Sequence, residues 1–209
     1  MLGRVHIVDD DASFRTAMER RLQQAGYEVA TCASALDLLL NLPAESIPSC
    51  LLLDVRIPAL DGPALQKRLG ELGSTLPIIF ITGYLDIPVT VQAIKAGAED
   101  VLTKPVPSDQ LLPAIERAIA RHSSTYHQKT TQDVVRSLIA TLTPREREVF
   151  DLVVRGNRNK QAADALGCTE RTIKAHRRMV MEKMRARSLA ELVSIAERIG
   201  VAAAAEQIA

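Results

Sequence analysis

The chain has 209 residues, 47% of them hydrophobic, and a formal charge of +1. That length holds one large domain or two of ordinary size, and the apolar share is enough for real cores, which excludes a chain disordered throughout. No apolar run approaches the roughly 20 residues that cross a bilayer, and the N-terminus has no secretory pattern, so the chain reads as cytosolic, with no membrane partner. Cys32, Cys50 and Cys168 are odd in number and form no C-x-x-C pair, which points to buried free thiols rather than a disulfide or zinc scaffold.

Short apolar runs at Val5–Val8, Tyr27–Thr31, Cys50–Leu53, Pro77–Ile81 and Asp100–Thr103 alternate with segments of helical period, such as Phe14, Met18, Leu22 and Leu111, Ile115, Ile119. Five strands separated by helices predict a doubly wound α/β domain around a parallel sheet. The unbroken run Leu51-Leu52-Leu53 suits a central strand covered on both faces. From about Arg121 to Ser137 the composition turns polar, and a linker is expected there, either extending the preceding helix or fraying.

Four helices are expected after it. Thr143-Pro144-Arg145-Glu146 offers an N-cap, a first-turn proline and a capping-box glutamate, with Gly156 to close the helix. A short helix over about Lys160–Leu166 stops at Gly167, and Thr169 caps a longer one reaching about Arg185. Ser188-Leu189-Ala190-Glu191 reads as a second capping box, opening a helix that Gly200 ends.

Charge is unevenly placed. Residues 1–138 carry 13 Lys/Arg against 16 Asp/Glu, whereas residues 139–209 carry 13 against 9, and seven of those bases lie between Arg171 and Arg187. At 100° per residue Ile173, Val180 and Met184 share one side of the helix from Thr169, and Arg171, Lys174, Ala175, Arg178 and Arg185 cluster opposite. A short helix, a turn and a cationic helix fit a helix-turn-helix whose second helix enters the major groove.

In a parallel sheet ligands bind beyond the carboxyl ends of the strands. Asp9 and Asp10 follow the first strand, Asp54 ends the third, Thr82 ends the fourth and Lys104 follows the fifth. In strand order 2-1-3-4-5 the three carboxylates crowd one small volume, and a divalent cation that takes oxygen ligands, Mg2+, relieves their repulsion. An aspartate so placed can attack phosphorus while Lys104 and the metal hold the phosphoryl oxygens and Thr82 offers its hydroxyl.

The motifs Val8-Asp9-Asp10-Asp11, Leu53-Asp54-Val55-Arg56-Ile57-Pro58-Ala59-Leu60-Asp61-Gly62, Ile81-Thr82-Gly83 and Thr103-Lys104-Pro105 resemble a response-regulator receiver domain of the flavodoxin-like kind. The resemblance implies phosphorylation of Asp54 by a sensor histidine kinase, metal held by Asp9, Asp10, Asp54 and the Arg56 backbone carbonyl, and a cis Lys104–Pro105 bond. It departs at Val101, where receivers often carry a Tyr or Phe that turns inward on phosphorylation.

Leu142-Thr143-Pro144-Arg145-Glu146-Arg147-Glu148-Val149, Asn159-Lys160 and Thr172-Ile173-Lys174-Ala175-His176 resemble the LuxR-type helix-turn-helix, and the whole resembles the FixJ/NarL group of response regulators. By position, Lys174, Ala175 and Arg178 are then expected at base edges, and Arg171, Thr172, Arg177, Asn159 and Lys160 mainly at phosphates. Ala162 and Cys168 stand where that pattern more often has Ile, and Ile, Val or Ser, so looser packing is expected there.

The division expected is a receiver over 1–122, a linker over 123–138 and a DNA-binding domain over 139–209. Phosphorylation would drive homodimerisation on double-stranded promoter DNA, with RNA polymerase a further candidate partner. Two alternatives compete. A phosphatase of the haloacid dehalogenase type needs a second aspartate where Arg56 stands, which argues against an enzyme. A phosphorylation-independent dimeric regulator would use the receiver only as an interaction module.

Overall fold

A computed structural model describes residues 2–84 and 87–200; the end of the segment expected as the DNA-binding domain, residues 201–209, lies outside them. Compact units divide between His127 and Gln128. In the first, β1 (Arg4–Val8), β2 (Glu28–Cys32), β3 (Ser49–Asp54), β4 (Ile78–Thr82) and β5 (Asp100–Thr103) form one parallel sheet in the order β2-β1-β3-β4-β5. β2 and β4 lie one residue further along the chain than the hydrophobic runs implied. Thr82 is thereby the last residue of a strand whose five positions are all buried.

Alternation of side chains along each strand feeds two cores. Val5, Ile7, Cys50, Leu52, Ile79 and Ile81 pack with α1 (Ala12–Gln24) and the start of α5 (Ser108–Ala140), through Met18, Leu22, Leu111 and Ile115. On the opposite face Val8, Leu51, Leu53 and Phe80 pack with α2 (Ala35–Leu40), α3 (Gly62–Glu71) and α4 (Ile87–Lys95) through Leu38, Leu65, Leu69 and Ala93. β3 contributes to both faces, as its uninterrupted apolar run requires.

Residues 123–138 are helical throughout, within α5. Val135 and Ile139 of that helix are buried in the core of the second unit, with Val149, Phe150 and Val153 of α6 (Pro144–Val154). That core also takes Ala162 and Ala163 of α7 (Asn159–Leu166), Ile173 and Val180 of α8 (Glu170–Lys183), and Leu192 and Ala196 of α9 (Leu189–Glu197). Ala162 is fully buried and Cys168 packs against the same core.

Local hydrogen bonds explain where the helices begin. The Thr143 hydroxyl accepts from the Glu146 amide at 3.3 Å, while the Glu146 carboxylate accepts from the Thr143 amide at 2.8 Å, a complete capping box. At α9 the reciprocal arm is displaced. Ser188 Oγ accepts from the Glu191 amide at 3.2 Å, but the Glu191 carboxylate accepts at 2.8 Å from the amide of Arg187, one residue before the cap. Gly167 ends α7 in the left-handed region at φ 60°, which a glycine enters without the Cβ penalty.

Two histidines are buried in the first unit. His122 on α5 accepts the Ser49 amide on Nδ1 at 3.1 Å, which ties that helix to the start of β3. His6 and His122 each bury an Nε2 that has no hydrogen-bond partner among the described residues. Burial, then the charges of Arg4 and His122, pushes His6 down to about 4. Burial also lowers His122, against the opposing charge of Glu45.

Candidate functional site

The order of the sheet decides which strand ends meet. β1 and β3 are neighbours, with Val8 opposite Leu53, and β3, β4 and β5 follow in line. Asp9, Asp54, Thr82 and Lys104 are therefore carried to one edge. Oxygens of Asp9, Asp10 and Asp54 lie within 4.8 Å of one another, Asp9 buried, Asp54 half-buried and Asp10 exposed. Lys104 Nζ donates to Asp9 Oδ2 and to Asp54 Oδ2, each at 2.6 Å.

The remaining carboxylate oxygens are fixed by backbone amides. Asp9 Oδ1 accepts from the Asp11 amide at 2.9 Å, and Asp54 Oδ1 from the Arg56 amide at 3.0 Å. Lys104 is itself anchored, since its amide donates to the Thr82 carbonyl at 2.7 Å, and the Lys104–Pro105 bond that follows is cis.

Two of the three carboxylates, Asp9 and Asp54, thus share one ammonium, and Asp10 lies beside them without a bond to it. Burial raises the pKa of Asp9, opposed by its bonds to Lys104 and the Asp11 amide and reinforced by the charge of Asp54. Burial alone would lower Lys104, yet the hydrogen bonds and charges of Asp54 and Asp9 outweigh it and hold the ammonium above its ordinary pKa. The cluster keeps an excess of negative charge around hard oxygen donors. That donor set fits Mg2+.

Thr82 is buried and already engaged. Its hydroxyl donates to the Tyr84 carbonyl at 2.8 Å and accepts the Tyr84 amide at 3.3 Å. Beside it Val101, half-buried on β5, lines a pocket of about 50 Å³ with Phe80, Thr82, Tyr84, Val89 and Ala93.

Three contributors were not legible as site residues. Arg15 Nη1 donates to the Asp9 carbonyl at 2.7 Å. Phe14, read from its period as a core position, does pack against the core, but its ring also lies under Lys104, with Nζ 4.0 Å from the centroid. Gly62 approaches the backbone of Asp54 so closely that a Cβ there would lie 2.7 Å from the Asp54 carbonyl oxygen and 2.7 Å from Phe80 Cε1. The spacing of Phe14 four residues after Asp10, in the first turn of the next helix, was the one available signal.

In the second unit the turn at Gly167-Cys168 joins α7 to α8, whose N-cap Thr169 accepts the Thr172 amide at 3.2 Å. Ile173 and Val180 of α8, and Met184 just after it, are buried. Arg171, Lys174, Ala175 and Arg178 are exposed on α8, with Thr172, His176 and Arg177 half-buried. Asn159, half-buried at the start of α7, accepts from Arg177 Nη1 at 2.8 Å, and Lys160 beside it is exposed. The face expected to be cationic is thus free, and two of the expected contact residues are bonded to each other.

The profile described as "Response regulator receiver domain" matches residues 5–116, and that described as "Bacterial regulatory proteins, luxR family" matches residues 140–196. The chain belongs to the two-component response regulators that join a receiver to a LuxR-type DNA-binding domain, a family of transcriptional regulators rather than enzymes. Among its relatives, Nodulation protein W of Bradyrhizobium diazoefficiens is 43% identical over 95% of this chain and 87% of that protein. Transcriptional regulatory protein FixJ of the same organism is 38% identical over 95% of this chain and 97% of that protein. The solved structure of the response regulator StyR is 41% identical over 93% of this chain and 98% of that one, with a TM-score of 0.83. No helix among the described residues is long and apolar enough to cross a membrane.

Proposed function

We propose that Asp54 is the phosphoacceptor for a sensor histidine kinase, and that its phosphorylation promotes homodimerisation and binding to promoter half-sites. The observation that carries the reading is the single ammonium of Lys104 bridging Asp9 and Asp54 at 2.6 Å each. An Asp54 oxygen forms the O–P bond as the bond from phosphorus to the donor imidazole nitrogen breaks, the electron pair leaving with the imidazole. Asp9, Asp10, Asp54 and the Arg56 carbonyl would hold Mg2+, which when bound neutralises charge on the phosphoryl oxygens. Lys104 takes one of those oxygens, and Thr82 turns its hydroxyl to another.

The receiver would occupy 1–122 and the DNA-binding domain 139–209, with 123–138 connecting them in the cytosol, where promoter DNA lies. Ile87, Val91 and Ile94 recur along α4 and are 68%, 45% and 47% exposed, which supports this helix as part of a receiver–receiver surface. Leu189, 42% exposed at the start of α9, supports the same role for that helix between DNA-binding domains. Joining two such domains raises the effective concentration of the second on its half-site, roughly a 10²–10⁴-fold gain in avidity. Lys174, Ala175 and Arg178 would read bases, Ala175 through a thymine methyl, and Arg171, Thr172, Arg177, Asn159 and Lys160 would contact phosphates. RNA polymerase is the further partner of a regulator bound at a promoter.

DNA footprinting with and without beryllofluoride, on wild type and Asp54→Asn, tests the reading. Stimulation in wild type alone is expected, and equal stimulation of both would overturn it. Val101 favours a second reading, in which the receiver dimerises without phosphorylation; a protein that is dimeric in gel filtration before and after phosphodonor treatment, with constant DNA affinity, would establish it instead.

A further inference from the structure

We propose that Phe14 is a positioning residue for Lys104, its ring face holding the ammonium in place while the charge it serves moves from the Asp54 carboxylate to the phosphoryl oxygens. The inference rests on Asp54 being the phosphoacceptor.

A lysine ammonium has three N–H donors and no acceptor. Two of those of Lys104 are directed at carboxylates, at Asp9 Oδ2 and Asp54 Oδ2. The ring of Phe14, 4.0 Å from Nζ, covers a further side of the ammonium and leaves the lysine side chain 21% exposed. The negative face of a benzene ring attracts a cation in this position, more strongly as water is removed.

The ring is held by the same short stretch that holds the acids. Asp9 Oδ1 accepts the amide of Asp11, and Asp11 Oδ1 accepts the amides of Ser13 at 2.8 Å and Phe14 at 3.2 Å as the N-cap of α1. A carboxylate, a cap and a ring five residues apart at most are thus set by one turn of backbone. Phe14 then packs at the edge of the core rather than within it.

When the Asp54 oxygen forms its bond to phosphorus, the carboxylate gives up the charge that Lys104 bonds, and new charge sits two bonds further out, on the phosphoryl oxygens. A hydrogen bond weakens steeply with misdirection. The attraction of a cation to a ring face acts within about 6 Å of the centroid, so it tolerates that displacement better. Asp9 and the ring remain as the fixed points about which the ammonium turns.

The test substitutes Phe14 in the full-length chain with phenylalanines bearing one, two and three ring fluorines, which drain the ring face of negative potential at nearly constant volume, and adds Phe14→Tyr and Phe14→Leu. The rate constant for Asp54 labelling by acetyl phosphate with Mg2+ is expected to fall stepwise with fluorination, by about two- to thirtyfold in all, the span a cation–π contact corresponds to. Tyr should restore the rate and Leu should not. In metal-free protein, NMR should find the Lys104 ε-methylene protons shifted upfield by the ring in wild type and Tyr, and not in Leu.

Fluorinated proteins labelled at the wild-type rate would overturn the inference while leaving the phosphoacceptor reading intact. Absence of labelling in the wild type would overturn both. Should Phe14→Leu fail to fold, the fluorinated series, which preserves packing, decides alone.

Discussion

The Lys183 ammonium at the end of α8 lies 2.6 Å from the Glu146 carboxylate, whose same oxygen accepts the Thr143 amide at 2.8 Å. One buried acid therefore completes the cap of α6 and fastens the far end of α8. The hydrogen bond from Lys183, then that from the Thr143 amide, holds Glu146 below the ordinary carboxylate pKa.

Glu146→Ala is accordingly expected to destabilise the DNA-binding unit by about 1–3 kcal/mol, through loss of the cap and of the acid paired with Lys183, whose ammonium then keeps only the Thr141 carbonyl at 3.2 Å. Urea denaturation of the full-length chain, followed by a probe in the second unit, checks this. Because the folded pKa is depressed, the stabilisation is present above the unfolded value of 4.5 and is lost as pH falls through the folded one.

The buried histidines act in another pH window. Both have folded pKa values below the ordinary 6.5, His6 at about 4, so between those values the unfolded chain binds more protons. Stability of the receiver should be full above about pH 6.5 and decline towards pH 4, with a slope of up to about 1.4 kcal/mol per pH unit for the proton of His6, to which His122 adds in the same direction. His6→Leu should flatten that slope by the share of one proton. An unchanged slope in urea melts between pH 7 and pH 4.5 would refute the assignment.

Gly62 sits where a side chain has no room. With a Cβ due 2.7 Å from both the Asp54 carbonyl oxygen and Phe80 Cε1, Gly62→Ala must move the strand end that carries Asp54. A loss of about 1–3 kcal/mol is expected from overpacking. Slower Asp54 labelling should accompany the lower melting temperature.

On DNA the exposed residues of α8 should separate by role. Lys174→Ala and Arg178→Ala should each lower operator affinity about 5- to 150-fold with phosphorylation intact, as lost base contacts do. Arg177→Ala should weaken all sequences alike and reduce the salt slope by about one. Asn159→Ala, which unties Arg177 from its 2.8 Å bond, should do so less. Fluorescence anisotropy across a salt series distinguishes these patterns.

The alternation of strands with helices and the helix-turn-helix were readable from the chain because period and caps act locally; the strand order followed from the fold type and not from any local pattern. Asp9, Asp54, Thr82 and Lys104 could be gathered from strand ends alone, since a parallel sheet brings its carboxyl ends together. What escaped depends on direction at the scale of one side chain. Phe14 sits at a core period, and nothing in that period tells a ring edge in the core from a ring face under Lys104. Glu191 has capping-box spacing, yet its carboxylate reaches the amide of Arg187 instead of Ser188. The polar residues after Arg121 left helix and frayed coil open; Val135 and Ile139, buried in the second core, give the end of that helix its packing.

A hydroxyl has one proton to give. That of Thr82 is spent on the carbonyl of Tyr84, so any oxygen arriving at Asp54 that claims it must first dispossess the peptide group two residues along. The exchange is a matter of counting rather than of force: the same atom cannot answer both neighbours, and whichever it deserts is left to find a new companion.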